Sequence, residues 1–322
     1  WRTMGMEERI NETAIPREHE RERLDVYLAR RFTYLSRTGW QREIERGSVF
    51  VNAARVEAPN TRVRGGDIVR FDGRGYAEPE VDDRISVLYE DEHLLCVDKP
   101  GNLPVHPAGR YFNNTLVRIL EARHGGAYFP AHRLDRETSG VMLLAKNREV
   151  ASKIQRNFGN VSKSYLAIVY GRPAERDFEV DVPVGDDPSA TIKKKRVASP
   201  EARESARTRF RTLSGFGGYA LVRAFPETGR LHQIRVHLLY AGHPIVGDKL
   251  YGRDDRYFSR FVEEGLSDEL LALLEMPRSA LHSRSLRFYH PVLERELMIK
   301  APVPRDFREF ILSKGGRPWP SR

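Results

Sequence analysis

One stretch of the chain is poorly explained by packing. It runs Ala131-His132-Arg133-Leu134-Asp135-Arg136-Glu137-Thr138-Ser139-Gly140 and leads into the apolar run Val141 to Ala145. A carboxylate flanked by two arginines thus sits on a polar loop delivered into a buried strand. Such a loop is anchored at one end while its side chains face outward, a placement suited to catalytic groups. Neighbouring cations keep an aspartate ionised, lowering its pKa by roughly one to three units. An ionised carboxylate can serve as a nucleophile. The competing reading is a structural Asp–Arg ion pair, and these ten residues by themselves do not separate the two.

Other chemistry is harder to build. Cys96 is the only cysteine, which excludes internal disulfides and a cysteine-based zinc cluster. His232 and His237 are five apart with no acid at metalloprotease spacing, so a place on a helix surface or against a bound partner fits them better than zinc. Gly242 to Lys249 glances at a phosphate loop but lacks the adjacent Gly-Lys-Ser/Thr that cradles phosphate.

Elements must hold the Asp135 loop in place. Residues 1–18 are polar and read as a flexible N-terminal tail, and since Trp1 is not an initiator, Met4 and Met6 are candidate starts. Over 19–72, Leu24, Tyr27, Leu28 and Phe32 fall at helical spacing. Ser36 is an N-cap, with Trp40 and Ile44 on one helix face and Gly47 as the stop. Val49, Val51 and Val56 suggest a short strand pair, and the turn at Gly65-Gly66-Asp67 precedes a strand to Phe71. Residues 73–84 read as a linker. Beyond it, strands are expected over Ile85 to Tyr89, Leu94 to Asp98, Val141 to Ala145 and Tyr165 to Tyr170, with a hairpin at Gly215 to Gly218. Helices are expected over Thr115 to His124, Val150 to Phe158 and His232 to Ala241. Strands neighbour strands without regular βα alternation, which favours an α+β fold over a doubly wound sheet. The polar segment Asp186 to Arg209, with Lys193-Lys194-Lys195-Arg196, reads as a mobile loop, and 313–322 as a C-terminal tail.

The sequence HRLDRETSGVMLLAK closely resembles the catalytic motif of the RluA family of pseudouridine synthases. Three further stretches agree in the family's order: KPGNLPVHP (Lys99 to Pro107), Lys163-Ser164-Tyr165 leading into LAIVYG, and TGRLHQIRVH (Thr228 to His237); the closing segment LHSRSLRFYHP (Leu281 to Pro291) has a similar look. The order "RLD…L", "SR…I…G", "V.VN" and "GD" over 19–72 resembles the alpha-L RNA-binding module first seen in a small-subunit ribosomal protein. The resemblance implies a catalytic domain over 85–312, built on a central mixed, mainly antiparallel sheet and preceded by a small α/β module. It implies Asp135 as the catalytic carboxylate and Arg235 as its partner. Tyr165 would lie over the target base, a stacking contact worth roughly 1–3 kcal/mol. Arg133 and His132 would line the space that the base leaves. RNA contacts would come from Arg37, Arg42 and Arg46 of the module, and from Arg136, Lys163 and Arg230.

The implied reaction breaks the N1–C1′ bond of uridine in RNA, turns the uracil, and joins C5 to C1′. Because the base stays in the site and no redox or energy input is needed, the resemblance implies no cofactor and no metal. Asp135 can attack sugar or base, or take the C2′ proton to give a glycal, and the residues do not choose. The base must be flipped from its stack, at a cost of a few kcal/mol. A net charge of +9 suits a polyanionic partner. An N-terminal module of this type points to large-subunit ribosomal RNA, while His106 to Thr115 also resembles relatives that modify transfer RNA. No apolar run reaches membrane-span length, the start lacks a secretory signal, and a monomer in the cytoplasm is expected. Two rivals differ in class. A non-catalytic RNA-binding or ribosome-assembly protein would not need Asp135, Tyr165 and Arg235 together. A glycoside hydrolase wants two acids, whereas arginines surround one acid here.

Overall fold

The computed structural model describes residues 10–318 apart from 33–34, 74–77, 108–110, 191, 193–194 and 255. The expectations placed on the chain start, on Lys193-Lys194, and on parts of the linker and of the His106 to Thr115 stretch lie outside the described residues. Two compact units emerge, Trp1–Glu80 with His106–Asn114, and Val81–Val105 with Thr115–Arg322.

In the first unit, β1 (Ile10–Ala14) precedes α1 (Leu24–Arg31), α2 (Arg37–Glu45), β2 (Val49–Val51), β3 (Ala54–Val56) and β4 (Ile68–Asp72). The helices form where sidedness and capping agree. Leu24, Tyr27, Leu28, Trp40 and Ile44 are fully buried together, and Ser36 Oγ accepts from Gly39 N at 3.1 Å. Gly47 ends α2 at φ +73°, where a Cβ would collide with the Arg55 guanidinium. Residues 10–14 depart from the expected flexible tail. They pair antiparallel with β4, extending the sheet to the order β1-β4-β2-β3. Part of the expected linker is also tied down, because the Glu78 carboxylate accepts from the backbone N–H groups of Phe112, Asn113 and Asn114.

The second unit carries β5 (Ser86–Glu90), β6 (Leu94–Lys99), α3 (Leu116–His124), β7 (Phe129–Pro130), β8 (Ser139–Ala145), α4 (Arg148–Arg156), β9 (Ser162–Tyr170), β10 (Asp177–Asp181), β11 (Val184–Asp186), β12 (Arg196–Ala198), β13 (Arg207–Phe216), β14 (Tyr219–Pro226), α5 (Gln233–Tyr240), α6 (Arg256–Glu264), α7 (Asp268–Leu274), β15 (Leu281–Tyr289), β16 (Glu296–Lys300) and α8 (Arg305–Ser313). Its main sheet runs β10-β13-β14-β9-β15-β8-β6-β5, with β16 on β15 and β7 on β8. The contact between β8 and β15 is parallel and the other pairings are antiparallel. The sheet is therefore mixed and mainly antiparallel, and the α+β expectation holds.

All seven residues of β8 are buried, because the strand lies between two cores. Met142 and Leu144 pack with α3, α5 and α8, while Val141, Leu143 and Ala145 pack with α4 and β16. That double burial explains the unbroken apolar run after Gly140. At the parallel seam His282 pairs with Ser139 and Ser283 with Gly140, and Ser139 Oγ lies 2.9 Å from His282 Nδ1. Gly140 sits at φ +106°, and a Cβ there would come within 2.2 Å of Ser283 O. Only glycine fits.

Two further expectations need correction. The 186–209 segment is partly organised, since β11 pairs with β12 and Arg196 bonds Asp186 and Glu204. At the C-terminus Ser313 closes α8, and Lys314 Nζ reaches Glu275 at 2.7 Å. In both places a long basic side chain finds a carboxylate that polarity alone does not foretell.

Candidate active site

The Asp135 loop is fastened from behind. Thr138 N donates to Asp135 O at 3.1 Å, and Leu103 N donates to Arg136 O at 3.0 Å. Lys99 is fully buried, and its ammonium donates to Pro100 O and Leu103 O at 2.8 Å and to Arg136 O at 3.2 Å. Burial pushes its pKa down to about 7. A buried cation needs such a set of acceptors, and here they draw the 99–103 turn and the Asp135 loop together.

Asp135 and Arg235, a hundred residues apart, meet. Arg235 Nη1 donates to Asp135 Oδ2 at 2.8 Å. The guanidinium is not free to choose. Its Nε and Nη2 hold Asp248 at 2.6 and 2.8 Å, and its centre lies 4.8 Å from the Tyr251 ring centroid. Asp248 is itself fixed, taking the N–H groups of Leu250 and Tyr251 at 3.0 and 2.9 Å. The two carboxylates differ in access, since the Asp248 side chain is 0% exposed and that of Asp135 is 23% exposed. Burial alone would raise the Asp135 pKa. The Arg235 charge and hydrogen bond, helped by His232, outweigh it and hold the carboxyl below the ordinary range. Bidentate pairing of an arginine with one acid, while a third N–H serves another, suits a fork of fixed geometry.

His232 stands at the N-terminus of α5 in a left-handed conformation. Its Nδ1 lies 2.8 Å from Tyr251 Oη and its Nε2 3.8 Å from Asp135 Oδ1. Burial, followed by the Arg235 charge, lowers its pKa to about 4. It is neutral at pH 7, so this contact is not an ion pair there. Tyr165 lies in a register row that crosses the seam, with Ala224, Ser283 and Gly140. Burial pushes its hydroxyl up to about 12, and the Asp135 charge adds to the rise.

The remaining residues singled out in the sequence scatter. Arg133 is exposed. His132 accepts from Leu143 N at 3.1 Å and stacks on Phe158 with ring centroids 5.0 Å apart. Lys163 is buried, with its ammonium 5.4 Å from the same ring. Arg136 pairs with Glu137 at 2.9 Å, and Arg230 Nε donates to Ser205 O at 3.0 Å. In the first unit Arg37 bonds the fully buried Asp25, and Arg46 bonds Glu43, while Arg42 is exposed. His237 departs from the expected surface position. It is fully buried, its ring nitrogens 2.9 Å from Thr208 Oγ1 and 3.0 Å from Val182 O. Among the described residues no three His, Cys, Asp or Glu side chains gather as a metal site would need.

A family model described as RNA pseudouridylate synthase matches residues 93–240, and one described as S4 domain matches 22–69. A protein of Nitrosomonas europaea named ribosomal large subunit pseudouridine synthase D is 34% identical over 304 residues, covering 90% of this chain and 83% of its own length. The chain belongs to the RNA pseudouridylate synthase family. The RluA-type resemblance is borne out, and the chain is an isomerase with an N-terminal S4 module. A yeast relative named mitochondrial tRNA pseudouridine(32) synthase is 31% identical, covering 85% of this chain and 60% of its own. The solved structure of human RNA pseudouridylate synthase domain containing 4 superposes with a TM-score of 0.54 at 32% identity, over 70% of this chain and 92% of that one.

For this pseudouridylate synthase, sequence reasoning overlooked Asp248 and Tyr251. Both lie in or just after the stretch set aside as a false phosphate loop. A signal was present, because an aspartate amid Ile245, Val246, Leu250 and Tyr251 must find a cation if those neighbours are buried.

Proposed function

We propose that this pseudouridine synthase isomerises uridines of large-subunit ribosomal RNA, with Asp135 as the catalytic carboxylate. The observation that carries the assignment is the 2.8 Å contact of a partly exposed Asp135 with a guanidinium that a closed carboxylate already holds. An acid so placed stays ionised yet can be reached from outside, which either attack on the nucleoside or removal of the C2′ proton requires. The N1–C1′ bond breaks and the C5–C1′ bond forms. C5 gives up its hydrogen as a proton and N1 gains one, so the product is an isomer. Tyr165 stacks on the extruded uracil, and Arg133 lines the space beside it. The S4 module, with Arg42 and Arg46 exposed, grips the RNA backbone and offsets the flipping cost. The ribosomal assignment follows the Nitrosomonas relative at 34% identity. The yeast relative supports a second reading, the same chemistry on transfer RNA. The enzyme works as a monomer in the cytoplasm.

The test maps pseudouridine across all RNA of a strain lacking the gene, complemented with the natural chain or with Asp135→Asn. Ribosomal sites should vanish in the deletion and return only with the natural chain. Sites confined to transfer RNA would establish the second reading, and sites restored by Asp135→Asn would overturn the catalytic assignment.

A further inference from the structure

Lys249 follows Asp248 in the chain, and the two side chains grip different partners. Asp248 holds Arg235. Lys249 Nζ donates to Glu137 Oε1 and to Pro277 O, each at 2.8 Å, and lies 4.9 Å from the Phe261 ring centroid. Glu137 is two residues beyond Asp135, and its other oxygen accepts from Ser279 N at 2.9 Å. Ser279 Oγ in turn donates to Asp248 Oδ2 at 3.3 Å. The bonds close a ring from Asp135 through Arg235, Asp248, Ser279 and Glu137 back along the chain to Asp135.

We propose that Lys249 is a positioning residue for the reaction, holding the Asp135 loop through Glu137 while its neighbour Asp248 holds Arg235. One dipeptide thereby sets the mutual geometry of both members of the ion pair. The inference rests on the reading of Asp135 as the catalytic carboxylate. It is carried by burial, since the Lys249 side chain is 4% exposed and an ammonium leaves water only where its partners repay the loss. A surface lysine recruited for RNA would instead keep its charge in solvent.

Among the described residues, Lys249, Arg136 and the Ser279 amide meet the Glu137 carboxylate, and Arg278 donates to the backbone Glu137 O at 3.1 Å. Burial would raise its pKa, but Lys249 first and Arg136 second hold it below the ordinary value. Without Lys249 burial meets less opposition and the carboxyl rises. Glu137 then takes up a proton as pH falls and its grip on the ring weakens. Activity should be lost on the acid side and regained on the alkaline side.

The experiment measures single-turnover tritium release from RNA of a deletion strain grown on [5-³H]uracil, using the full chain. Lys249→Met should slow the step by about tenfold to a hundredfold with half-saturating RNA shifted by less than about twofold, and should show the acid limb. Lys249→Arg should recover most of the rate. Lys249→Met with Glu137→Gln should stay slow but lose the limb. If Lys249→Met does not fold, Glu137→Gln alone reads the same link through a slower step at unchanged half-saturation. A natural rate and pH profile in the variants, or a loss confined to half-saturation, would overturn the proposal. Asp135→Asn is run beside them: turnover in that variant defeats the underlying reading, whereas a dead Asp135→Asn with a fully active Lys249→Met defeats only the role of Lys249.

Discussion

Two carboxylates share the Arg235 guanidinium, and exchanging each for its amide should have very different costs in stability. In Asp135→Asn the arginine keeps its two bonds to Asp248, and the altered side chain is 23% exposed. Stability should change by no more than about 1 kcal/mol, while turnover disappears. Asp248→Asn should instead cost stability. The Asp248 side chain is 0% exposed, and Oδ1 already serves Leu250 N, Tyr251 N and Arg235 Nη2. The amide oxygen must take that place, which turns its NH₂ toward Arg235 Nε, a donor against a donor. The arginine is left partly unpaired in a closed space, at a cost of about 3–5 kcal/mol. For a unit of this size that lowers Tm by about 6–20 °C. Thermal unfolding of the purified variants, paired with turnover on RNA from a deletion strain, measures both quantities. An Asp248→Asn protein with the natural Tm, or an Asp135→Asn protein as destabilised as its counterpart, would refute the division of labour argued from exposure.

Further expectations follow from the same geometry. Gly140→Ala forces a Cβ against Ser283 O at a left-handed backbone position, so the variant should yield little soluble protein or melt well below the natural chain; an unchanged melting curve would contradict the seam as described. Asp135 lies below the ordinary carboxylate value of 3.8, so it is ionised above that pH and protonated only as pH falls through its own lower value. Turnover should therefore stay level between about pH 7 and pH 5, and a fall centred near pH 6 would show that burial dominates. Tyr165→Phe should keep the stacking face and bind RNA normally, whereas Tyr165→Leu should lose about 1–3 kcal/mol of binding in a titration. Removing Met6 to Arg70 should weaken RNA affinity and flatten its salt dependence, which filter binding at several salt concentrations would test.

What the residues disclosed depended on the range over which the physics acts. Ser36, Trp40, Ile44 and Gly47 announced α2 because capping, sidedness and termination are decided within a few positions. The run from Val141 to Ala145 announced a strand because burial on both faces leaves no polar alternation. Ile10–Ala14 was missed because INETA is short and mostly polar, and it becomes a strand only by lining up with β4 sixty residues later. His237 misled for a similar reason. The burial that hides it comes from Thr208 and Val182, on segments that helical spacing does not register. The encounter of Asp135 with Arg235 was reached through family resemblance, since no local rule joins positions a hundred residues apart. Asp248 had no recognised motif to announce it, only apolar neighbours whose burial is decided by the whole fold.

The strand behind the Asp135 loop has a thermal consequence. Met142 to Leu144 lie between two packed layers and pair with β6 on one side, while Leu143 N donates to His132 on the other. They have no cheap route to solvent, and exchange there should report unfolding of the whole catalytic unit rather than a local breath. The rear anchor of the loop is thus as durable as the fold itself. On heating, the enzyme should lose RNA modification at the temperature where its sheet comes apart, with no folded but idle form preceding it.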